Sequence, residues 1–271
     1  MDSHMHLDRF PREERTAVLE RAWSVGIKVL VTVATSFSGV DELWALANAN
    51  KGKVYHSVGA HPTELDDAVP VEAEVIGAVE RTGPVAIGET GFDYFSLPRG
   101  LGAARAVSDV QREAFLLQAR VAKEVGLPLI IHCREKERTK RDAWNALLWA
   151  LKRVQFPMER ALLHCFDYGH EELIRWQGEG AYVSFSGSVT RKSHEEAQKA
   201  LQCTKTDRFL LETDAPFLLP EPLRTTAPET VCEPSHMLYT ASFVSWLLAM
   251  EQEDVLGLSL ENGCRFFGLG R

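Results

Sequence analysis

Two histidines at the start of the chain have the spacing of a metal site. His4 and His6 are separated by one residue. In an extended strand, residues i and i+2 point to the same face, about 6.6 Å apart. Both imidazoles can therefore approach one metal ion from the same side. The spacing predicts a metal centre whose other ligands must come from later in the chain.

Further residues of ligand type follow short apolar runs. Each run has the length of a β-strand and carries a histidine or a carboxylate at its downstream end. These residues are Glu89, His132, His164 and Asp214. A single histidine after an apolar run is more often a hydrogen-bonded core residue than a ligand. With the opening histidines, five strand ends carry such residues in chain order, and this favours a metal site over packing.

The elements that must position these residues alternate between strand and helix patterns. The 271 residues are close to the roughly 250 of a (β/α)8 TIM barrel. Eight predicted strands, without a GxGxxG or GxxxxGKS loop, favour a closed parallel barrel over an open nucleotide-binding sheet. We expect an α/β protein with one domain over residues 1–271. Its active site should lie at the C-terminal strand ends.

Two segments are predicted to be irregular. Residues 91–107 have the least regular pattern and predict a long connection, of a kind that is often functional or mobile. A helix is predicted from Ser108, a suitable N-cap, to Val125. Residues 218–232, rich in Pro, Glu and Thr, predict a loop across the barrel mouth.

Composition limits the class of protein. Hydrophobic residues make up 45% of the chain and charged residues 25%, as in ordinary globular proteins, and no apolar run could span a membrane. The start of the chain lacks a secretory signal pattern, so we expect a cytoplasmic location without membrane contact. Five cysteines without a CxxC pair argue against a disulfide framework and a thiolate zinc site. Cys133 and Cys165 are expected to pack on the face opposite the histidines.

Charge restricts how an anionic substrate could bind. The net charge of −8 disfavours broad nonspecific binding to nucleic acid, so attraction must come from metal or from a local patch. One basic patch follows His132 and consists of Arg134, Lys136, Arg138, Lys140 and Arg141. Glu135 and Glu137 interrupt it. The patch is therefore either a substrate surface or a solvated loop and helix start.

Taken together, the motifs resemble the TatD family of metal-dependent deoxyribonucleases, within the amidohydrolase-like barrels. The resemblance covers nearly the whole chain and rests on eight short motifs in order. They are DSHMHLD at 2–8, GAHP at 59–62, GETGFDY at 88–94, PLIIHCR at 128–134, HCF at 164–166, SFSG at 184–187, ETDAPF at 212–217 and ENGCRFFG at 261–268. Each motif alone is modestly specific, and the ordered set is much more so.

The resemblance implies hydrolysis of DNA phosphodiester bonds by a centre with two divalent metal ions, Mg, Mn or Zn. The implied ligands are His4, His6, Glu89, His132, His164 and Asp214. We assign the first two histidines and Asp214 to one ion, the other two histidines to the second ion, and Glu89 to both. Two ions about 3.5 to 4 Å apart activate water and stabilise both oxygens of an in-line displacement. Asp214 would then take the proton from that water.

Three other residues are candidates for contact with substrate. His61 ends the third predicted strand, where it would bind a phosphate or protonate a leaving oxygen, or else brace the loop. Arg134 would clamp a phosphate or form a structural ion pair. Tyr94, with Phe95, would stack on a base or pack in the loop, and packing is slightly favoured.

The chain departs from the family pattern in three places. Very little precedes Asp2, so the first strand is short. The family's Asn-Glu-Pro near the barrel mouth reads Cys232-Glu233-Pro234, which removes an amide expected to contact substrate. The loop after Tyr94 and the segment 135–140 are longer or more charged than usual. These departures affect the substrate rather than the metal ligands.

The sequence leaves three functions open. The leading one is exonuclease cleavage of DNA, single-stranded or at an end, since acidic net charge and a confined barrel mouth suit an end better than a long duplex. The second is hydrolysis of an ester or amide, such as a D-aminoacyl-tRNA deacylase reaction. The third is a metal-stabilised binding protein, although structural metal sites are usually smaller and closed. No obligate protein partner is evident.

Overall fold

The computed structural model describes residues 1–65 and 68–270. Within this part of the chain, eight parallel strands are paired in chain order, each with the next. The strands are β1 Asp2–Met5, β2 Leu30–Thr32, β3 Val54–Val58, β4 Ala86–Asp93, β5 Leu129–Arg134, β6 Ala161–Leu163, β7 Tyr182–Phe185 and β8 Phe209–Leu211. The predicted (β/α)8 TIM barrel of the α/β class is confirmed.

Helices connect successive strands and continue after the last one. They are α1 Arg15–Ser24, α2 Val40–Ala49, α3 Glu72–Thr82, α4 Leu101–Val125, α5 Asp142–Val154, α6 His170–Gly178, α7 Glu195–Gln202, α8 Leu223–Thr226, α9 Met237–Leu248 and α10 Gln252–Phe267. Short 3-10 turns cover Leu7–Arg9, Phe37–Gly39, Met158–Arg160, Gly187–Thr190, Lys192–His194 and Pro234–His236. None of the helices described is both long and apolar enough to cross a membrane.

Alternation along the strands separates two layers of apolar side chains. Ile130 of β5 and Leu162 of β6 belong to one buried cluster, which also contains residues of β2, β4, β7 and β8. Leu129 and Ile131 belong to the larger cluster that includes residues of the surrounding helices. Neighbouring residues on a strand thus face opposite sides, one into the barrel and one towards the helices. His132 has the same parity as Ile130 and therefore points into the barrel mouth.

Strand β4 needs an irregularity to present its carboxylates. Ala86 faces the inner cluster and Ile87 the outer one. The pairing of β4 with β5 shifts register between Ile87 and Thr90. Such a shift re-aims the side chains that follow it, so that Glu89 faces inward. Gly91 continues the strand with φ +148°, where a Cβ atom would lie 1.9 Å from the carbonyl oxygen of His132.

The predictions for the two irregular segments were partly wrong. Helix α4 begins at Leu101, seven residues before the expected Ser108, and β4 extends to Asp93. The extra helix contains Ala103, Ala104 and Ala106, and alanine is the strongest helix former. Without a capping residue at its start, this part of the helix had no terminal signal. The loop 218–232 contains the one-turn helix α8.

Asp2 connects the first strand to the last. Its carboxylate accepts hydrogen bonds from the Thr213 backbone N–H at 3.0 Å and the Thr213 hydroxyl at 2.6 Å, and its side chain is fully buried. Beyond it, the Asp214 N–H donates to the His4 carbonyl at 2.9 Å, and the His6 N–H donates to the Ala215 carbonyl at 2.7 Å. These bonds hold His4 and His6 beside Asp214, so the short first strand is firmly attached.

Replacing Asp2 is expected to destabilise the barrel. Asp2→Ala leaves a buried N–H and a buried hydroxyl without acceptors, which costs about 3 kcal/mol. That loss lowers the melting temperature by roughly 6 °C or more in thermal denaturation followed by circular dichroism. Glu20→Ala, at an exposed position on α1, is the control and should melt like the wild type. Equal melting of Asp2→Ala and wild type would show that this connection is dispensable.

Candidate metal centre

The first group of predicted ligands lies where β1 meets β8. His4 Nε2 is 3.3 Å from His6 Nε2 and 3.3 Å from Glu89 Oε2. His6 Nε2 is also 3.3 Å from Asp214 Oδ1. These side chains are buried except that of Asp214, which is 15% exposed. The structure therefore brings together the residues assigned to the first ion.

The second group lies on β5 and at the end of β6. His132 Nδ1 is 2.9 Å from Glu89 Oε1, and His164 Nε2 is 2.7 Å from the same oxygen. The two histidine nitrogens are 3.3 Å apart. Glu89 thus directs one carboxylate oxygen to each group, as expected for a bridging ligand.

The donor atoms fit divalent metal ions. Nitrogens of His4 and His6 lie within 4.8 Å of each other and of a Glu89 oxygen, and all three residues are buried. Once they have lost their protons, imidazoles that face one another at 3.3 Å have lone pairs to share with a cation. Imidazole with carboxylate is a donor set suited to zinc, manganese or iron. The arrangement can therefore hold metal.

The pKa shifts of the candidate ligands agree with a role in metal binding. Burial would raise the pKa of Glu89, but the surrounding imidazoles, His164 foremost, hold it well below its usual range. Burial would also raise the pKa of Asp214. The hydrogen bond that Asp214 accepts from His6 outweighs this effect of burial, so the pKa of Asp214 is lowered. The pKa of His164 is raised well above its usual value despite burial, because Glu89 is adjacent. Metal binding would displace such protons.

Two carboxylates behind the ligands escaped the sequence-based interpretation. Asp93 Oδ2 lies 3.1 Å from His132 Nε2, which leaves Nδ1 to face Glu89. Its pKa is lowered to about 2, because the hydrogen bond from His132 outweighs the effect of burial. Asp93 is four residues after Glu89 on one strand, so strand parity places both on one face. That parity was a signal available in the sequence.

Glu212 is the second such carboxylate and is fully buried. Its Oε1 lies 3.4 Å from His164 Nδ1 and accepts a hydrogen bond from the Cys165 backbone N–H at 2.7 Å. The His164 and His4 rings stack with centroids 3.9 Å apart. Partners of this kind fix the orientation and tautomer of ligand histidines.

His61 lies at the edge of the second group. Its Nε2 is 3.5 Å from Glu89 Oε1. Its Nδ1 accepts a hydrogen bond from the Thr63 backbone N–H at 3.2 Å and also contacts the Thr63 hydroxyl at 2.7 Å. Burial lowers the pKa of His61 to about 3. The neutral ring therefore carries its proton on Nε2, which is directed into the site.

The other two candidates for substrate contact, Arg134 and Tyr94, lie in different environments. Arg134 is exposed, lies over the Phe95 ring at 3.9 Å from its centroid, and borders the cleft beside the metal centre. No ion pair of Arg134 occurs among the described residues. Tyr94 instead packs against the core, because strand parity turns it away from the face that carries Asp93. Tyr94 therefore has the packing role that was slightly favoured over base stacking, whereas Phe95 lines the cleft.

Two expectations about cysteines also change. Cys165 has φ +46° and lines the cleft, with its Sγ 3.2 Å from the Ser186 hydroxyl, so it does not pack on the opposite face. Cys232 is 1% exposed and packs in the core. A side chain at that position would contact the core rather than substrate. The adjacent Glu233 accepts two hydrogen bonds of 2.7 Å from Arg21 of α1.

The basic patch divides into separate parts. Arg141 pairs with Glu172 and lies over Tyr168, which gives it a structural role. Arg138 pairs with Asp167 but borders the cleft with Arg134 and Lys136. This segment therefore contributes basic side chains to the cleft wall and also contains a structural helix start.

A parallel barrel that gathers four histidines and two carboxylates at its C-terminal strand ends belongs to the class of metal-dependent hydrolase barrels. A family model described as TatD related DNase matches residues 1–268. The chain belongs to the TatD family, as predicted. The expected class of enzyme, a hydrolase, is confirmed with it.

Individual relatives are similar to this protein over nearly the full length of the chain. An uncharacterized metal-dependent hydrolase TatD of Mycobacterium tuberculosis is 33% identical over 100% of this chain and 98% of its own. A 3'-5' ssDNA/RNA exonuclease TatD of Erwinia tasmaniensis is 26% identical over 95% of each chain. The crystal structure of the TatD homolog YJJV from Escherichia coli superposes with a TM-score of 0.84 at 23% identity, covering 99% of this chain and 98% of the other.

Removing the carboxylate behind His132 should weaken metal binding. Asp93→Ala frees the His132 ring and its tautomer, and loss of such a partner typically lowers metal affinity by roughly 10- to 100-fold. Competition titration with a chelating dye measures the effect for zinc or manganese. Asp254→Ala, an exposed change in the first turn of α10, is the matched control. Wild-type affinity in Asp93→Ala would contradict this role.

Proposed function

We propose that this protein is a metal-dependent exonuclease that hydrolyses phosphodiester bonds at the ends of single-stranded nucleic acid. The observation that carries the proposal is the position of Glu89, which directs one carboxylate oxygen to each of two histidine groups. This arrangement suits two divalent ions held close together. A relative named as a 3'-5' ssDNA/RNA exonuclease supports the choice of substrate.

The ligand roles follow the two groups. His4, His6 and Asp214 would hold one ion, His132 and His164 the other, with Glu89 shared. When bound, such ions supply Lewis-acid activation of water and stabilise charge on the phosphoryl oxygens. Magnesium, manganese and zinc remain the candidates for both sites, and the two-ion stoichiometry is itself part of the proposal.

Asp214 is the carboxylate best placed to receive a proton. Its side chain is 15% exposed, whereas Glu89 and Asp93 are each 3% exposed. A water molecule that attacks phosphorus must reach its acceptor from the cleft. Asp214 can take that proton at a carboxylate oxygen because its lowered pKa keeps it ionised at neutral pH.

His61 and Arg134 would then position the phosphate. The neutral His61 ring donates from Nε2 to a phosphoryl oxygen or to the leaving oxygen. Arg134, free of a carboxylate partner among the described residues, would offer its guanidinium to the phosphate from the cleft wall.

The shape of the cleft favours an end over a duplex. Its volume is about 600 Å³, which is the size of a small-ligand pocket. It can enclose a terminal nucleotide or two, but not a double helix. We also propose that the protein acts in the cytoplasm, a location consistent with its five free cysteines.

Substitution of the bridging or proton-accepting carboxylate should abolish nuclease activity. Glu89→Ala and Asp214→Ala are each expected to lower kcat on a short single-stranded oligonucleotide by about 1,000-fold or more, because they remove metal ligands. The assay resolves products on a denaturing gel with magnesium, manganese or zinc. Glu113→Ala, exposed on α4, is the control. Cleavage that survives both substitutions would show that another centre, or a contaminant, does the chemistry.

A folded, metal-loaded wild type that cleaves no oligonucleotide would overturn the exonuclease proposal. The same metal-activated water attacks carbonyl carbon, so the next substrates would be aminoacyl esters of the D-aminoacyl-tRNA type. Release of the free amino acid would then identify the deacylase alternative.

The role of His61 predicts a change in turnover more than in binding. His61→Ala removes the Nε2 donor and should lower kcat by about 100-fold, with KM changed severalfold at most. His61→Gln, which can place an amide N–H in the same region, should recover part of the loss. Equal kcat for His61→Ala and wild type would leave His61 with the loop-bracing role only.

A further inference from the structure

A cleft with several basic side chains in its wall opens directly beside the metal centre. Its wall includes His132, His164 and Asp214 from that centre. It also contains four basic side chains from two separate segments of the chain. These are Arg134, Lys136, Arg138 and Arg191. Because the protein has a net charge of −8, four basic side chains in one cleft suggest a local site for an anion.

The acids of the cleft are already engaged. Asp167 accepts a hydrogen bond of 2.6 Å from Arg138 Nη2. Glu135 accepts hydrogen bonds from the backbone N–H groups of Ala143 and Trp144, at 3.0 and 2.9 Å, at the start of α5. Both carboxylates are therefore committed to these hydrogen bonds, and Asp167 acts on Arg134 and Arg191 only from beyond ion-pair distance.

Arg134, Lys136 and Arg191 consequently have no carboxylate partner among residues 1–65 and 68–270. Arg191 is the most confined of the three. Its Nε is buried and makes no hydrogen bond in this part of the chain. Burial, and next the adjacent Arg224, lower its pKa. Because the Nε of Arg191 is buried without an acceptor, an anion that enters this cleft gains a strong interaction.

We propose that Arg191, with Lys136 and Arg138, binds a second phosphate group of the substrate strand, adjacent to the phosphate at the metal centre. This inference rests on the proposed phosphodiester cleavage and adds a preference to it. A substrate with at least two phosphates gains a contact that a substrate with one phosphate lacks. Phe95, 56% exposed with Arg134 on its ring, provides an aromatic surface for the nucleoside between them.

The cleft thereby selects for strand length without reading sequence. Contacts to phosphate position a strand but carry no base information. A dinucleotide has one phosphate and can occupy only the metal centre. A trinucleotide has two and can reach Arg191 as well.

The test compares kcat/KM for an unphosphorylated dinucleotide and trinucleotide of one base type. Wild type should prefer the trinucleotide by roughly tenfold, the effect of one charge-assisted contact. Arg191→Gln should remove most of this preference, and Lys136→Gln part of it. Arg175→Gln, exposed in the last turn of α6, is the matched control and should keep the wild-type ratio.

Binding provides a readout that does not require turnover. In the trinucleotide, each linkage in turn is replaced by a neutral methylphosphonate, and the Kd is measured by calorimetry with the metal-loaded protein. One replacement should weaken binding to wild type by roughly tenfold beyond its effect on Arg191→Gln. That non-additivity is expected only if Arg191 contacts the replaced phosphate.

Three results would overturn the subsite. Wild type could show no preference for the trinucleotide, Arg191→Gln could slow both substrates equally, or the binding effects could be additive. If wild type cleaves neither oligonucleotide, the proposed nuclease function fails by itself. The methylphosphonate titration then still decides whether Arg191 binds phosphate.

Discussion

The structure depends on one buried carboxylate, Glu89, that is shared by two groups of imidazoles. A negative charge in this position is tolerable only because His4, His132 and His164 each bring a ring nitrogen within 3.3 Å of it. Those residues come from β1, β5 and the end of β6, so the barrel must close in the correct register before the centre exists. The bonds between Asp2 and Thr213, and the register shift in β4, serve that requirement. The metal centre therefore forms only when the barrel has folded correctly.

The second constraint is electrostatic. An acidic protein repels a polyanion over most of its surface, so attraction has to be local. The structure provides it by leaving Arg134, Lys136 and Arg191 without carboxylate partners, within the described residues, in the cleft that adjoins the metal ligands. Arg141, close in sequence, is instead committed to Glu172. Neighbouring basic residues thus have opposite uses, and only their three-dimensional partners distinguish them. In the proposed function, this division would allow an acidic protein to bind one strand end at the cleft.

Much of the fold and of the candidate ligand set could be predicted from the sequence, because buried parallel strands are recognisable as apolar runs. His132 and His164 end such runs, and their ends must meet at one rim of a barrel, so the ligand set could be predicted without coordinates. Asp93 could also have been predicted to face the site, because the sequence places it four residues after Glu89 on the same strand. Other features were not encoded locally. The start of α4 at Leu101 has no side-chain cap, and the partners of Arg138 and Arg141 lie on distant elements. The burial of Cys232 likewise depends on tertiary packing that no motif reports.

If Glu89 joins two metal sites, each chain binds two ions, and the number of bound ions can be counted. Protein saturated with manganese or zinc and freed of excess metal would be analysed by plasma mass spectrometry, beside a His132→Ala/His164→Ala double variant. We expect two ions per wild-type chain and about one in the double variant, because His4, His6, Glu89 and Asp214 retain the first site. A single ion in saturated wild type, or the same number in both proteins, would show that Glu89 does not join two metal sites.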